Sequence, residues 1–258
     1  VAADRDLAAA IRLAALEAGG HIMAVYATDF TVARKNDSSP VTDADEGAET
    51  IILAALERLT PDIPIVAEER VAAGIVPDIG GGVFWLVDPL DGTKEFIGRN
   101  GDFTVNIALI RDGRPVLGVV HAPARRLTFV AAGPGLVTRE VDGSPARPIA
   151  CRTQPADGAV VVASRSHLSR ETEAWLAEQK VQSMAQAGSS LKFCLVAAGE
   201  ADLYPRHGRT MEWDTAAGHA VLAAAGGSVR TTDGTDLMYG KAGFENPHFI
   251  ARGLDIEM

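Results

Sequence analysis

The segment Trp85-Leu86-Val87-Asp88-Pro89-Leu90-Asp91-Gly92-Thr93 constrains this chain more than any other. An apolar strand ends in Asp88, a proline turns the chain, and a second carboxylate, Asp91, follows three residues on, ahead of Gly92-Thr93. This places two carboxylates in one space at the carboxyl end of a strand, where an α/β sheet puts its ligands. Held together, they repel unless a positive charge lies between them or one takes a proton. A hard divalent cation such as Mg²⁺ answers that requirement, because it takes oxygen ligands and keeps waters and phosphates in its shell. Asp, Pro and Gly are also turn formers, so the segment alone would serve equally as a solvated turn. Further carboxylates at element ends favour the site. Glu68 closes the apolar run 63–67, with Glu69 as its exposed neighbour, and Glu212-Trp213-Asp214 opens a later helix. Asp214, just before Thr215-Ala216-Ala217, also suits a helix N-cap. The two roles agree, since a helix N-terminus adds favourable partial charge beside a phosphate.

Around these acids the pattern alternates between helix and strand. Leu7, Ile11, Ala14, Ala18, Ile22 and Val25 recur at helical spacing and predict a first amphipathic helix of roughly 20 residues. A second helix is expected over 43–59, entered through Thr42-x-x-Asp45 or Asp43-x-x-Glu46, both of which resemble capping boxes. Strands are expected over 63–67, 83–87, 103–110, 115–121 and 127–132. The Asp112-Gly113 step marks a hairpin between the third and fourth. The first 150 residues therefore read as helices on an antiparallel-rich sheet. Residues 133–148 are rich in Gly and Pro and mark a junction, which divides the chain into lobes 1–140 and 141–258. In the second lobe, strands over 159–164, 201–204 and 228–231 alternate with helices over 170–179, 190–198 and 215–225. The expected fold is a layered α+β and α/β sandwich of alternating helical and sheet layers, with the active site between two lobes.

Composition bounds the function. Of the 258 residues, 34 are acidic and 24 basic, a net charge of −10, which argues against a nucleic-acid coat or an anionic-membrane binder. Cys151 and Cys194 form no CxxC pair and read as buried thiols in a reducing compartment. Residues 1–24, interrupted by Asp4, Arg5, Asp6, Arg12 and Glu17, read as neither signal peptide nor membrane span. The chain is expected to be soluble and cytoplasmic, and its start at Val1 is read as a trimmed N-terminus.

Four motifs stand in order: Val41-Thr42-Asp43-Ala44-Asp45, Ala67-Glu68-Glu69, Asp88-Pro89-Leu90-Asp91-Gly92-Thr93 and Trp213-Asp214-Thr215-Ala216-Ala217-Gly218. Together they resemble the lithium-sensitive, Mg²⁺-dependent phosphatase superfamily of inositol monophosphatase, fructose-1,6-bisphosphatase and the bisphosphate nucleotidases. Within it, Asp91 to Leu109, Gly188-Ser189-Ser190-Leu191-Lys192-Phe193-Cys194 and Ala201-Asp202-Leu203-Tyr204-Pro205-Arg206 resemble the bacterial CysQ-type 3′(2′),5′-bisphosphate nucleotidase branch. The resemblance implies that Glu68, Asp88 and the Leu90 carbonyl hold one metal, while Asp88, Asp91 and Asp214 hold a second. It implies two or three Mg²⁺ per site and inhibition by Li⁺. It also implies that Thr93 and Asp45 position and deprotonate the attacking water, and Gly92 lets the backbone approach the phosphate. Around the second phosphate and nucleoside it places Lys192 and Arg206, assisted by Ser189 and His167. A lysine on an amphipathic helix can instead lie along the surface, and capping alone would let either Asp43 or Asp45 act. The expected ligand is a small nucleotide bisphosphate, with no nucleic-acid polymer and no integral membrane contact. The protein is expected to be a monomer or homodimer, cytoplasmic or peripheral at the inner face of the cell membrane.

Other classes fit less well. Asp43-Ala44-Asp45 echoes an aspartyl-phosphate DxD motif, but that chemistry wants a buried strand ahead of it, and residues 34–40 are polar. A P-loop is missing, because Gly234 to Gly240-Lys241 is one residue too long and Ala242 follows. A purely nucleotide-binding regulatory module would have no need of four intact acids. The expected activity is removal of the 3′-phosphate from adenosine 3′,5′-bisphosphate to give AMP, and of the same phosphate from 3′-phosphoadenosine 5′-phosphosulfate. Inositol-1-phosphate and fructose-1,6-bisphosphate are the alternative substrates.

Overall fold

Strand runs that are apolar at every position, such as 84–87 and 107–110, need cover on both faces. The computed structural model, which describes residues 2–34, 40–142, 144–163 and 169–254, supplies it by stacking helices and sheets alternately. In chain order the elements are α1 Ala2–Tyr26, β1 Ala33–Arg34, β2 Pro40–Val41, α2 Asp43–Leu59, β3 Ile65–Ala67, α3 Glu68–Ala72, β4 Val83–Asp91 and α4 Thr93–Ile97. There follow β5 Thr104–Arg111, β6 Arg114–Ala122, β7 Leu127–Ala131, β8 Val137–Val141 and β9 Arg147–Pro148. The remainder comprises β10 Ala159–Ala163, α5 Arg170–Ala177, β11 Val181–Gln186, α6 Leu191–Ala197, β12 Leu203–Arg206, α7 Glu212–Ala224, β13 Ser228–Thr231 and β14 Phe249–Arg252.

The larger sheet runs β3-β4-β5-β6-β7-β8-β9 and is antiparallel except between β3 and β4. Period two sorts its side chains. Trp85, Val87, Ile107, Leu109 and Val119 face Ile11, Ala18, Ile22, Ala48, Ile52 and Leu56 of α1 and α2. Phe84, Leu86, Ala108, Ile110, Val120 and Phe129 face the other way, onto α6 and α7. Beyond those two helices lies the smaller sheet, β11-β10-β12-β14-β13, and α5 packs its Trp175 and Leu176 with Ala159, Val161 and Leu203. The layers are thus helix, sheet, helix, sheet, helix. At Gly118 an added Cβ would lie 2.6 Å from Ala220 Cβ and 2.7 Å from the Ala217 carbonyl, so β6 and α7 touch almost backbone to backbone.

Several expectations hold to the residue: α2 spans 43–59, β13 spans 228–231, and Asp112 and Gly113 take left-handed φ of 50° and 73°, as a tight hairpin turn requires. Others need correction. Pro89 does not end its strand. β4 continues to Asp91 with a register irregularity between Asp88 and Asp91, and β3 has already stopped pairing at Val87, so the proline's missing N–H leaves no ladder bond unmade on that side. β8 and β9 fall inside the Gly/Pro-rich stretch and carry the first sheet on to Pro148. β11 and β14 were not expected. The Asp4–Tyr26 stretch is long and apolar enough to cross a membrane by length and composition, because the charges crowd at its start. In the fold, its Ile11, Ala14, Ala15, Ala18 and Ile22 are buried in the core. Cys151 and Cys194 are both free and buried.

Candidate active site

The site forms where the ends of β3 and β4 meet the N-terminus of α7. β3 and β4 are parallel, with Ala67 opposite Val87, so Glu68 and Asp88 emerge side by side. Burial, then the charges of Glu68, Asp91 and Asp214, holds the Asp88 carboxyl well above the usual carboxylate range. Asp214 is raised likewise, by burial and then by Asp91 and Glu68. Asp214 is not an N-cap. α7 begins at Glu212, and from within its first turn Asp214 accepts the N–H of Met211 at 2.8 Å. The cap role passes to an acid inside the helix because the chain enters α7 one residue before Glu212, at extended Met211.

These carboxylates form an electrostatic group rather than a closed cage. Among the described residues, no three Asp, Glu, His or Cys side chains stand close enough around one point to hold a metal ion. Mg²⁺ needs less than that, since one or two carboxylates suffice when waters and phosphate oxygens complete its shell. Four oxygen-donor acids, of which buried Asp88 and half-buried Asp214 are reluctant to ionise beside one another, are a set whose charge a hard divalent cation would neutralise. The donor chemistry therefore fits such an ion.

Asp45 is buried at 2% exposure, whereas Asp43 is exposed. Asp45 Oδ2 accepts from the backbone N–H and the hydroxyl of Thr42, at 2.8 and 2.7 Å, completing the Thr42 capping box. Its other oxygen, Oδ1, accepts from the Thr93 hydroxyl at 3.2 Å. Thr93 opens α4 directly after Gly92, whose φ of 92° is a left-handed conformation natural only to glycine. The box thus aims Asp45 at Thr93, which the sequence pattern left open between the two acids.

Asp91, Gly92, Ser189, Lys192, Arg206 and Asp214 line one open cavity of about 120 Å³. Ser189, held at φ 55°, donates to Asp91 Oδ2 at 2.7 Å, so its hydroxyl serves a carboxylate rather than standing free. Lys192 is buried, not a surface lysine. Its Nζ donates to the Ser189 carbonyl at 2.6 Å and lies 5.2 Å above the Tyr204 ring, and burial lowers its pKa to about 8. Arg206 donates from Nη2 to the Arg209 carbonyl at 3.3 Å, while its buried Nε has no hydrogen-bond partner. His167 lies outside the described residues. Glu69 is half-buried like Glu68 rather than exposed.

Three contributors were missed. Glu49, buried on α2, accepts the N–H groups of Glu69 at 2.8 Å and Arg70 at 3.1 Å, at the start of α3. Asn106, on β5, donates to Asp91 Oδ2 at 3.4 Å and Ser190 Oγ at 3.0 Å. Glu95 lines the cavity, and burial raises its carboxyl. The signal for the first two was a polar side chain on an otherwise apolar stripe.

The chain matches the inositol monophosphatase family over residues 3–253. A 3′(2′),5′-bisphosphate nucleotidase CysQ of Salmonella typhimurium is 49% identical over 238 residues, covering 91% of this chain and 95% of that protein. The CysQ of Haemophilus influenzae is 32% identical over 247 residues, 94% and 91% of the two chains. Among solved structures, CysQ from Bacteroides thetaiotaomicron superposes with a TM-score of 0.82 at 36% identity, covering 97% of this chain and 98% of its own. An inositol monophosphatase from Anabaena gives 0.75 at 26% identity, covering 96% and 90%.

Proposed function

The chain belongs to the inositol monophosphatase family, and from that premise we propose that it is a cytoplasmic 3′(2′),5′-bisphosphate nucleotidase. It removes the 3′-phosphate of adenosine 3′,5′-bisphosphate, and that of 3′-phosphoadenosine 5′-phosphosulfate, by attack of water. The observation that carries this reading is one cavity shared by acids and bases. Asp91 and Asp214 stand on it with Lys192 and Arg206, which suits a ligand with one phosphate to cleave and another to hold.

Glu68, Asp88 and the Leu90 carbonyl would serve one Mg²⁺, and Asp88, Asp91 and Asp214 a second, each ion taking one or two carboxylates directly and the rest through waters of its shell. When bound there, such ions neutralise phosphate charge and make water a stronger acid. The protein's own groups do the rest. The Thr93 hydroxyl donates to Asp45 Oδ1, which leaves its oxygen free to accept from the attacking water; as water attacks, its proton passes to Thr93 while the Thr93 proton passes to Asp45. Lys192 and the unpartnered Nε of Arg206 bind the phosphate that is kept, by charge-assisted hydrogen bonds. Ser189 and Asn106 fix the Asp91 carboxylate by hydrogen bonds to Oδ2.

Phosphate release from the two adenosine substrates, inositol-1-phosphate and fructose-1,6-bisphosphate, measured across a Mg²⁺ titration with and without Li⁺, tests the proposal. A preference for inositol-1-phosphate overturns the substrate. Undiminished turnover in Asp91→Asn overturns the metal assignment.

A further inference from the structure

A second basic cavity lies on the face of the smaller sheet that carries α5. Along β14, Phe249 and Ala251 pack toward α6 and α7, so Ile250 and Arg252 point the opposite way. The β13–β14 register pairs Ser228 with Arg252 and Arg230 with Ile250. Arg230 and Arg252 are therefore diagonal neighbours on one face, a separation of about 7–8 Å that long side chains span. With Trp175, His207, Thr231 and Ile250 they line an open cavity of about 470 Å³, and no Asp or Glu stands among the described residues that line it.

Among the described residues one of the two guanidiniums has no ion pair and the other only a long, shared one. Arg252 stacks 5.8 Å over the Trp175 ring and has no ion pair among the described residues. Arg230 has Asp236 at 3.8 Å, but that acid lies nearer Arg114, at 2.9 Å. His207 adds an imidazole whose Nδ1 is occupied by Thr172 Oγ1 at 3.1 Å. In a chain of net charge −10, this is a local excess of positive groups with apolar walls from Trp175 and Ile250.

We infer that this cavity is a binding site for a phosphate ester, separate from the catalytic cavity, with its oxyanion gripped between Arg230 and Arg252 and its organic body filling the space beside Ile250. Paired guanidiniums match the oxygens of a tetrahedral anion in planar, bidentate fashion. The volume exceeds what a bare phosphate fills. Arg206 lines the catalytic cavity and the next residue, His207, lines this one, so the two sites meet across a single peptide.

Calorimetric titration of the full chain with AMP tests this, with inorganic phosphate titrated separately. Two AMP sites are expected. One of them loses at least tenfold in affinity in Arg230→Glu, an exposed position, and in Arg252→Gln, while both variants keep wild-type turnover. A single AMP site in the wild type, or two sites undisturbed in both variants, overturns the inference. Inorganic phosphate binding as tightly as AMP would overturn the role given to the organic body.

Discussion

Replacing Glu49 with Gln tests how the site is built from behind. Glu49 is 5% exposed and offers one oxygen to each of two N–H groups at the start of α3. That helix has five residues and an Ala67 N-cap without a side-chain hydrogen bond, so this carboxylate is its side-chain cap. Gln keeps one acceptor and turns an NH₂ toward the other N–H. The lost charge-assisted bond is worth about 1.5–3 kcal/mol, and the N–H left unmatched costs about 1–3 kcal/mol more. Against this, burial and the neighbouring Glu68 already raise the Glu49 carboxyl, and removing that charge returns part of the cost. The net expectation is about 2 kcal/mol, a fall in Tm of about 4–8 °C for a chain of this size. Because α3 begins at Glu68, loosening its first turn also loosens a proposed ligand. Mg²⁺ affinity, read by calorimetry or by the thermal shift Mg²⁺ produces, should weaken about tenfold, as for other groups that orient metal ligands. Glu49→Asp should recover part of both losses. A folded Glu49→Gln protein that binds Mg²⁺ as tightly as the parent would refute the reasoning.

Four further outcomes are expected. Asp45→Asn should lower kcat by about 10²–10⁴-fold without unfolding the chain, and adding Thr93→Ala should cost little more, since the two act as a unit; additive losses in the double variant would argue against the pair. Lys192, with a pKa of about 8, is charged at pH 7 and neutral at pH 9, so KM for the bisphosphate should rise roughly tenfold over that interval, the worth of one charged hydrogen bond, and Lys192→Gln should flatten the rise. His121 and His219 are buried and their pKa values fall from 6.5 to about 4. The unfolded chain therefore takes up protons first, and denaturant titrations should show full stability above pH 6.5 and a loss of about 3 kcal/mol per histidine as pH falls toward 4. Gly118→Ala should cost about 1–3 kcal/mol by overpacking β6 against α7, and an unchanged Tm would contradict that contact.

What could be read from residues alone followed the strength of local signals. The Thr42 box, the Asp112-Gly113 hairpin and the apolar period of α2 are local, and each lies where the pattern puts it. β11 was missed because Val181–Gln186 is polar and mostly exposed, so it carries no strand alternation. Glu212 opens α7 as the acidic cluster suggests, but the expected range from 215 starts late, because Asp214 looks like a cap and acts like one from two residues further in. Which of Asp43 and Asp45 faces Thr93, and whether Lys192 is buried, depends on helices meeting across the fold. Sequence spacing does not encode those contacts directly.

The position of α7 also governs the order in which this protein can be made. Phe84, Leu86, Ala108, Ile110, Val120 and Phe129 share one apolar cluster with Trp213, Ala216, Ala217, Ala220 and Val221. During synthesis the larger sheet is complete by Pro148, yet that face of it stays uncovered until α6 and then α7, ending at Ala224, have left the ribosome. The first half of the chain must wait as an exposed hydrophobic surface for the last quarter. A nascent chain stalled between those points would be a strong client for chaperones and a poor candidate for independent folding.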